Sequence, residues 1–185
     1  MSEESKNNLR FLLIITAIIV VFILPLIVYP LFQDYTTSLR IARYDDSINR
    51  HARRYALNPN LVREIIRAES AGYPDAVSPK GAVGLMQVTT RAQEDVMKRF
   101  EYPDGSLKDP DYNIKIGTGY LYILLDQFNS DLCLVLAAYN AGPARVKIWI
   151  KQMPNASSWE IIQASQYKKT INYVANIIKR YQKYK

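Results

Sequence analysis

The chain has 185 residues, 49% of them hydrophobic and 22% charged, which suits one domain with a real core and excludes a disordered chain. The net charge of +7 comes without a run of like charges or a nucleic-acid-binding motif, which argues against a nucleic-acid partner and leaves an anionic lipid or acidic polymer. One cysteine, Cys133, and one histidine, His51, exclude an internal disulfide and a Cys/His metal cluster, and no cofactor is expected.

Residues 11–33, FLLIITAIIVVFILPLIVYPLFQ, carry no charge. About twenty apolar residues rising 1.5 Å each cover ~30 Å, the thickness of a bilayer core. The run is too long for the apolar region of a cleaved signal peptide and no small-x-small site follows it, so it reads as an uncleaved anchor. Pro25 and Pro30 lie in its second half, where a kink is expected. Lys6 and Arg10 precede the span and Arg40, Arg43 and Arg50 follow it, so flanking charge does not decide its orientation. Lys6 and Arg10 are balanced by Glu3 and Glu4, which leaves the net charge of +7 to the part beyond the span.

Residues 34–185 read as one all-α domain. Ile41, Tyr44, Ile48, Ala52 and Tyr55 repeat at helical spacing through 41–57, with His51 on the surface among arginines. Asn58 caps and Pro59 opens a helix over 59–70. A helix is predicted across 83–100, a loop over 102–112, and two buried helices in 113–128 and 131–140, with Cys133 as a small buried residue. Gly142-Pro143 stops one helix and starts another. Ser157 and Glu160 have capping-box spacing. Ile171, Val174, Ala175, Ile178 and Tyr181 form one face of the last helix. There is no convincing period-2 strand, and the short helices and many loops do not fit a simple up-down bundle.

On the helix 59–70, Val62, Ile65 and Ile66 form an apolar stripe whose next member is Glu69. A carboxylate there is either a structural partner in an ion pair or an acid whose pKa is raised by loss of water. The loop that follows favours the second. Pro74 and Pro79 stiffen it, and Gly81 and Gly84 allow close backbone approach. Ser70, Ser78 and Gln87 return neutral hydrogen-bonding groups towards Glu69, with Met86 and Tyr73 as apolar neighbours. That mixture suits a sugar carrying hydroxyls and amides rather than a phosphate or a metal.

These residues carry a resemblance. Glu69-Ser70, then Ser78-Pro79-x-Gly81-Ala82 and Gly84-Leu85-Met86-Gln87, is similar to the signature of the lytic transglycosylases of the soluble-lytic (SLT) type, in the manner of glycoside hydrolase family 23. Asn113-Ile114-x-x-Gly117-x-x-Tyr120-Leu121, Ala138-Tyr139-Asn140-Ala141-Gly142 and Thr170-x-x-Tyr173-Val174 resemble the family's later motifs, in the same order. The resemblance covers roughly residues 45–182. It implies a lysozyme-like all-α fold, peptidoglycan glycan strands as substrate, and Glu69 as sole catalytic acid and base. In such enzymes the glutamate protonates the oxygen between MurNAc and GlcNAc. The MurNAc N-acetyl group stabilises the cation, and the glutamate then removes the O6 proton to give a 1,6-anhydro sugar. The resemblance further implies substrate contacts by Ser70, Ser78, Met86 and Gln87, support of the acid or the N-acetyl group by Tyr139, and a groove shaped by Asn140 and lined by Tyr173.

The residues agree with a one-carboxylate scheme. The next acid after Glu69 is Asp75, which reads as a turn residue, whereas ordinary glycosidases use a pair. Two positions depart from the family pattern. Lys169 stands where the fifth motif usually begins with glutamate, and Val88-Thr89-Thr90 replaces a common Met-Pro. Two other readings stay open: an inactive tethered peptidoglycan-binding or scaffold domain, and a muramidase that uses water. Peptidoglycan lies outside the cytoplasmic membrane, so a single-pass anchor at 11–33 implies a domain on the periplasmic or outer side.

Overall fold

The computed structural model describes residues 3–184, apart from the side chains of Lys6 and Leu9. The chain divides into two compact units, one ending at Leu39 and one running from Arg40 onward.

The first unit is helical: α1 (Glu3–Ile18), a π-helical turn (Ile19–Ile23) and α2 (Leu24–Ala42), whose last residues enter the second unit. The wide turn has a local cause. Pro25 has no N–H, and its ring would press on the carbonyl four residues earlier, at Val21. Opening the spiral to an Ile19 O to Leu24 N–H bond gives the ring room. The two prolines thus sit inside one continuous 40-residue helix. Phe11, Leu13, Val20, Phe22 and Leu26 are all exposed on it. Thr16 returns its hydroxyl to Leu12 O at 2.9 Å, as a polar group in an apolar helix must. By length and composition this helix is long and apolar enough to cross a membrane.

The second unit is built from α3 (Asp45–Arg54), α4 (Pro59–Ser70), α5 (Thr90–Phe100), α6 (Pro110–Gln127), α7 (Leu132–Ala141), α8 (Pro143–Gln152), α9 (Ser158–Ala164) and α10 (Lys168–Tyr181), followed by a 3-10 turn, Gln182–Tyr184. Caps set most boundaries. Asn58, Thr89, Asp109, Asp131 and Ser157 each accept a first-turn N–H, and Pro59, Pro110 and Pro143 occupy the first helical position. The expected capping box of Ser157 and Glu160 is present, with Ser157 N donating to Glu160 Oε2 at 2.8 Å. Helix α7 is buried along Val135–Ala138 because α6, α8, α9 and α10 all pack on it. Helix α4 packs against α3 and α10.

Four expectations need correction. The helix predicted across 83–100 begins only at Thr90. Residues 83–89 form a loop, because Gly84 (φ +78°) and Gln87 (φ +46°) are left-handed and cannot continue a helix. Isolated antiparallel bridges join Val83 to Val77 and to Val88. The run 41–57 is not continuous either: it breaks after Ala42 and restarts at Asp45, where Asp45 and Asp46 favour a helix N-terminus. Third, His51 is buried rather than on the surface. Asp111 gathers Ser47 Oγ (2.6 Å), Arg50 and His51 Nε2 (3.1 Å), and so ties α3 to α6. Burial lowers the His51 pKa, against the pull of Asp111. Burial pushes Asp111 up, but the three donors outweigh it and bring its pKa down to about 2. Fourth, Cys133 is only partly buried, beside Trp159 and Ile178.

Candidate active site

Glu69 is the penultimate residue of α4, which ends when Ala71 turns left-handed (φ +50°). The glutamate is partly buried, and its surroundings are built by three other segments.

The first is the loop 76–88. Ser78 closes its tip, accepting Ala82 N on Oγ at 3.0 Å, while Val83 and Val88 exchange two backbone bonds at 3.0 and 2.9 Å. Gln87 Nε2 donates to Ala76 O (2.9 Å) and Gly84 O (3.0 Å), which leaves the amide oxygen as its remaining acceptor. Ser70 fastens the loop to α4 by donating to Leu85 O at 2.8 Å.

The second is α6. Asn113 has no exposed surface and is fully used: Oδ1 accepts Met86 N (2.9 Å), and Nδ2 donates to Val83 O (2.8 Å) and Leu107 O (2.9 Å). Two glycines make this docking possible. A Cβ on Gly84 would collide with the Asn113 amide, and one on Gly117 would lie 2.5 Å from Met86 Sδ. The spacing of Asn113 and Gly117 therefore serves the loop that follows Glu69.

The third is the pair α7 and α10. Tyr139 donates to Met86 O at 2.9 Å, and its ring packs against Tyr120 at 5.6 Å between centroids. Thr170 Oγ1 donates to Asn140 Oδ1 at 2.9 Å and so links the two helices. Tyr173 is buried and faces Glu69. Its hydroxyl is near enough to hold the carboxyl's pKa down, yet it makes no hydrogen bond of good geometry. Lys169, exposed and one turn before Tyr173, acts on the carboxyl in the same direction.

Desolvation outweighs both groups and raises Glu69 from 4.5 to about 7. The hydroxyls of Tyr139 and Tyr173 are pushed well above 10, first by burial and then by the glutamate's charge, so both stay neutral donors. The arrangement is a carboxyl that can give a proton near neutral pH and take one back, between two uncharged hydroxyls. None of the groups that set its acidity is a carboxylate.

Of the residues singled out in the sequence, Glu69, Tyr139 and Tyr173 come together, and Gln87, Tyr139 and Asn140 line one recess beside them. Ser70 is 8% exposed and engaged with Leu85, and Met86 is 0% exposed in the core, so both support the wall from behind. Ser78 lies in the loop tip with its hydroxyl occupied by the turn. The sequence reading assigned no role to Asn113, Tyr120 and Thr170, although all three stand in its motifs. Their signal was their place in the three later motifs that follow the glutamate segment. Among the described residues no group of His, Cys, Asp and Glu could hold a metal.

Residues 46–162 match the family described as Transglycosylase SLT domain. The chain belongs to this family. The SLT domain is 34% identical over 140 residues to the soluble lytic murein transglycosylase of Salmonella typhimurium, covering 73% of this chain and 22% of that protein. It is 36% identical over 120 residues to the membrane-bound lytic murein transglycosylase C of Actinobacillus pleuropneumoniae serotype 5b, covering 58% of this chain and 33% of that one. Among solved structures, the 70 kDa soluble lytic transglycosylase of Escherichia coli superposes with a TM-score of 0.70 at 33% identity, over 76% of this chain and 24% of that chain. An inactive mutant of the lytic transglycosylase Slt of Pseudomonas aeruginosa gives 0.68 at 34% identity, over 74% and 23%. The fold is thus the lysozyme-like all-α fold of SLT domains. The chain spans about a quarter of the soluble relatives' length and a third of the membrane-bound one's.

Proposed function

We propose that this chain is a membrane-anchored peptidoglycan lytic transglycosylase, cutting the MurNAc-β-1,4-GlcNAc bond with formation of 1,6-anhydro-MurNAc in cell-wall remodelling. The observation that carries it is Glu69, a carboxyl with a pKa of about 7 and no carboxylate among the groups that tune it. A two-carboxylate glycosidase needs a partner some 5–10 Å away; a transglycosylase needs one group that serves twice. Protonated Glu69 gives its proton to the bridging oxygen, the MurNAc C1–O bond breaks, and the GlcNAc end leaves with the new O–H. The N-acetyl oxygen closes on C1 and holds the positive charge. Ionised Glu69 then takes the proton from O6, O6 bonds to C1, and the acetamide is released. No water is consumed. Gln87, Tyr139, Asn140 and Tyr173 are assigned to the sugar or to the acid, Ser78 to the loop rim, and Ser70 and Met86 to holding that loop.

Mass spectrometry of purified peptidoglycan digested by the full chain in detergent tests the reaction. Products one water lighter than reducing muropeptides are expected. Reducing ends would instead make the chain a muramidase that uses water, and strands bound but uncut would make it a binding domain.

Residues 11–33 are assigned as the anchor and 34–185 as the catalytic domain, on the periplasmic or outer side. Support comes from the long apolar helix with its exposed side chains. The protein recovered from membranes should have the intact mass of the whole chain. A shortened product released from the membrane would make the segment a cleaved signal.

Lys169 gives a further test of the acid. Its cation favours ionised Glu69, so Lys169→Gln should raise the glutamate's pKa. The protonated acid then survives to higher pH, and the alkaline limb of the kcat/KM profile should move up. Lys169→Glu should move it further, and added salt should shrink both shifts. A limb that stays in place in both variants would mean that Lys169 does not act on Glu69.

A further inference from the structure

Beside the catalytic glutamate lies a recess of about 460 Å³ that shares Gln87, Tyr139 and Asn140 with the cleft. Its outer wall is cationic. Lys80 comes from the tip of the loop, Arg91 from the second residue of α5, and Arg145 from the third residue of α8. All three are exposed, and none forms an ion pair among the described residues. One carboxylate, Asp95, shares the recess; it stands a turn on from Arg91 and is likewise in no such pair.

Arg145 is fixed in advance. It donates from Nη1 to Ala141 O at 3.0 Å, and its guanidinium lies 5.0 Å from the Tyr167 ring centroid. Held that way, it loses little freedom on meeting a planar anion. The two arginines also sit where the helices least favour them. The first turns of α5 and α8 contain no acidic residue, and the positive ends of both helices add to the field of the cations. Three cations from three separate elements face one space with a single carboxylate against them. The charge facing this space is positive on balance, and the recess adjoins the place where the sugar chain is cut.

We infer that this recess recognises the carboxylates of the peptide stem carried by the substrate strand, so that the chain selects glycan that retains its stems over stripped glycan. The inference rests on the proposed function, which lays the glycan along Gln87, Tyr139 and Asn140 and so brings a stem on the adjoining MurNAc to Lys80, Arg91 and Arg145. A stripped strand still offers the lactyl carboxylate, and the two sources of carboxylate differ in reach: the lactyl group sits on the sugar, the stem carboxylates several bonds away.

The test compares kcat/KM of the full chain on two substrates, strands with intact stems and the same strands after amidase removal of the stems. Three exposed, screened pairs amount to roughly a tenfold preference. The triple variant Lys80→Gln, Arg91→Gln, Arg145→Gln should lower the stem-bearing to stripped ratio by about that factor and flatten its dependence on salt. Asp95→Asn, a single exposed change, should move the ratio the other way, which keeps the test sound if the triple variant misfolds. An unchanged ratio in both variants overturns the inference, and a ratio near one in the unmodified chain, with both substrates weakened equally by the triple variant, assigns the recess to the lactyl carboxylate and overturns it as well. Calorimetric titration with free stem peptide separates this failure from failure of the proposed function. Stem binding lost in the triple variant supports the recess even if no strand is cut. A chain that cuts strands but binds stem equally with and without the three cations keeps its function and loses this site.

Discussion

Glu69→Gln is expected to reduce formation of anhydro products by roughly 10³-fold or more, because one group is removed from two proton transfers. Glutamine keeps the shape and the hydrogen-bonding reach of the side chain but can neither give nor take the proton. A second readout separates chemistry from folding. The native pKa of about 7 lies above the ordinary 4.5, so between these values the folded state holds a proton that the unfolded state has released. Stability assigned to this group is therefore full below about 4.5 and is lost as pH rises through about 7. At pH 8 the unmodified chain carries a desolvation cost on the order of 2–3 kcal/mol at this position, trimmed by the open side of the cleft. The glutamine variant does not. It should be inactive at every pH, match the unmodified chain in Tm near pH 4, and exceed it by several degrees at pH 8. An inactive variant that is also less stable at pH 8 would mean that the charge of Glu69 holds the fold together, and the assignment as acid would fall.

The glutamate was legible because it breaks a pattern: a carboxylate continuing Val62, Ile65 and Ile66 has to lose water wherever that stripe is buried. The helix starts were legible for the same kind of local reason, since Asn58-Pro59 and Ser157-x-x-Glu160 act within one turn of chain. What the sequence left hidden lies in long-range geometry. Val83 to Thr89 read as helix because Leu85, Met86 and Val88 are apolar. Yet the helix is denied there by two left-handed residues and by Asn113, 27 residues from the Met86 N–H it accepts. Met86 looked like a substrate contact for its place in the motif, but Gly117 opens a gap that draws it into the core. His51 looked exposed among arginines, and only the folded chain brings Asp111 to meet it. A carboxylate 60 residues away has no signature in helical spacing.

Asn113→Ala is expected to be strongly destabilising for a polar side chain. The side chain is wholly buried and satisfies Met86 N, Val83 O and Leu107 O. Alanine leaves the Met86 N–H and Leu107 O unpaired in a site closed to solvent, while Val83 O keeps the bond from Val88 N. Each costs about 1–3 kcal/mol, and partial entry of water into the vacated space brings the sum to about 3–4 kcal/mol. For a domain of this size that is a fall in Tm of roughly 10 °C. Activity should fall further than stability, because the same bonds hold the loop that carries Gln87 and the carbonyl that positions Tyr139. Asn113→Asp distinguishes the bonding pattern from mere size. It keeps an acceptor for Met86 N but sets oxygen against Val83 O and Leu107 O, so it should be no more stable than the alanine variant despite its nearly identical shape. If the aspartate variant instead melts close to the unmodified chain, the two Nδ2 bonds contribute little, and the loop must be held mainly by Ser70 and by Met86 packed beneath Gly117. Were Asn113→Ala to melt normally yet form no anhydro product, Asn113 would belong to the substrate cleft itself rather than to the frame behind it.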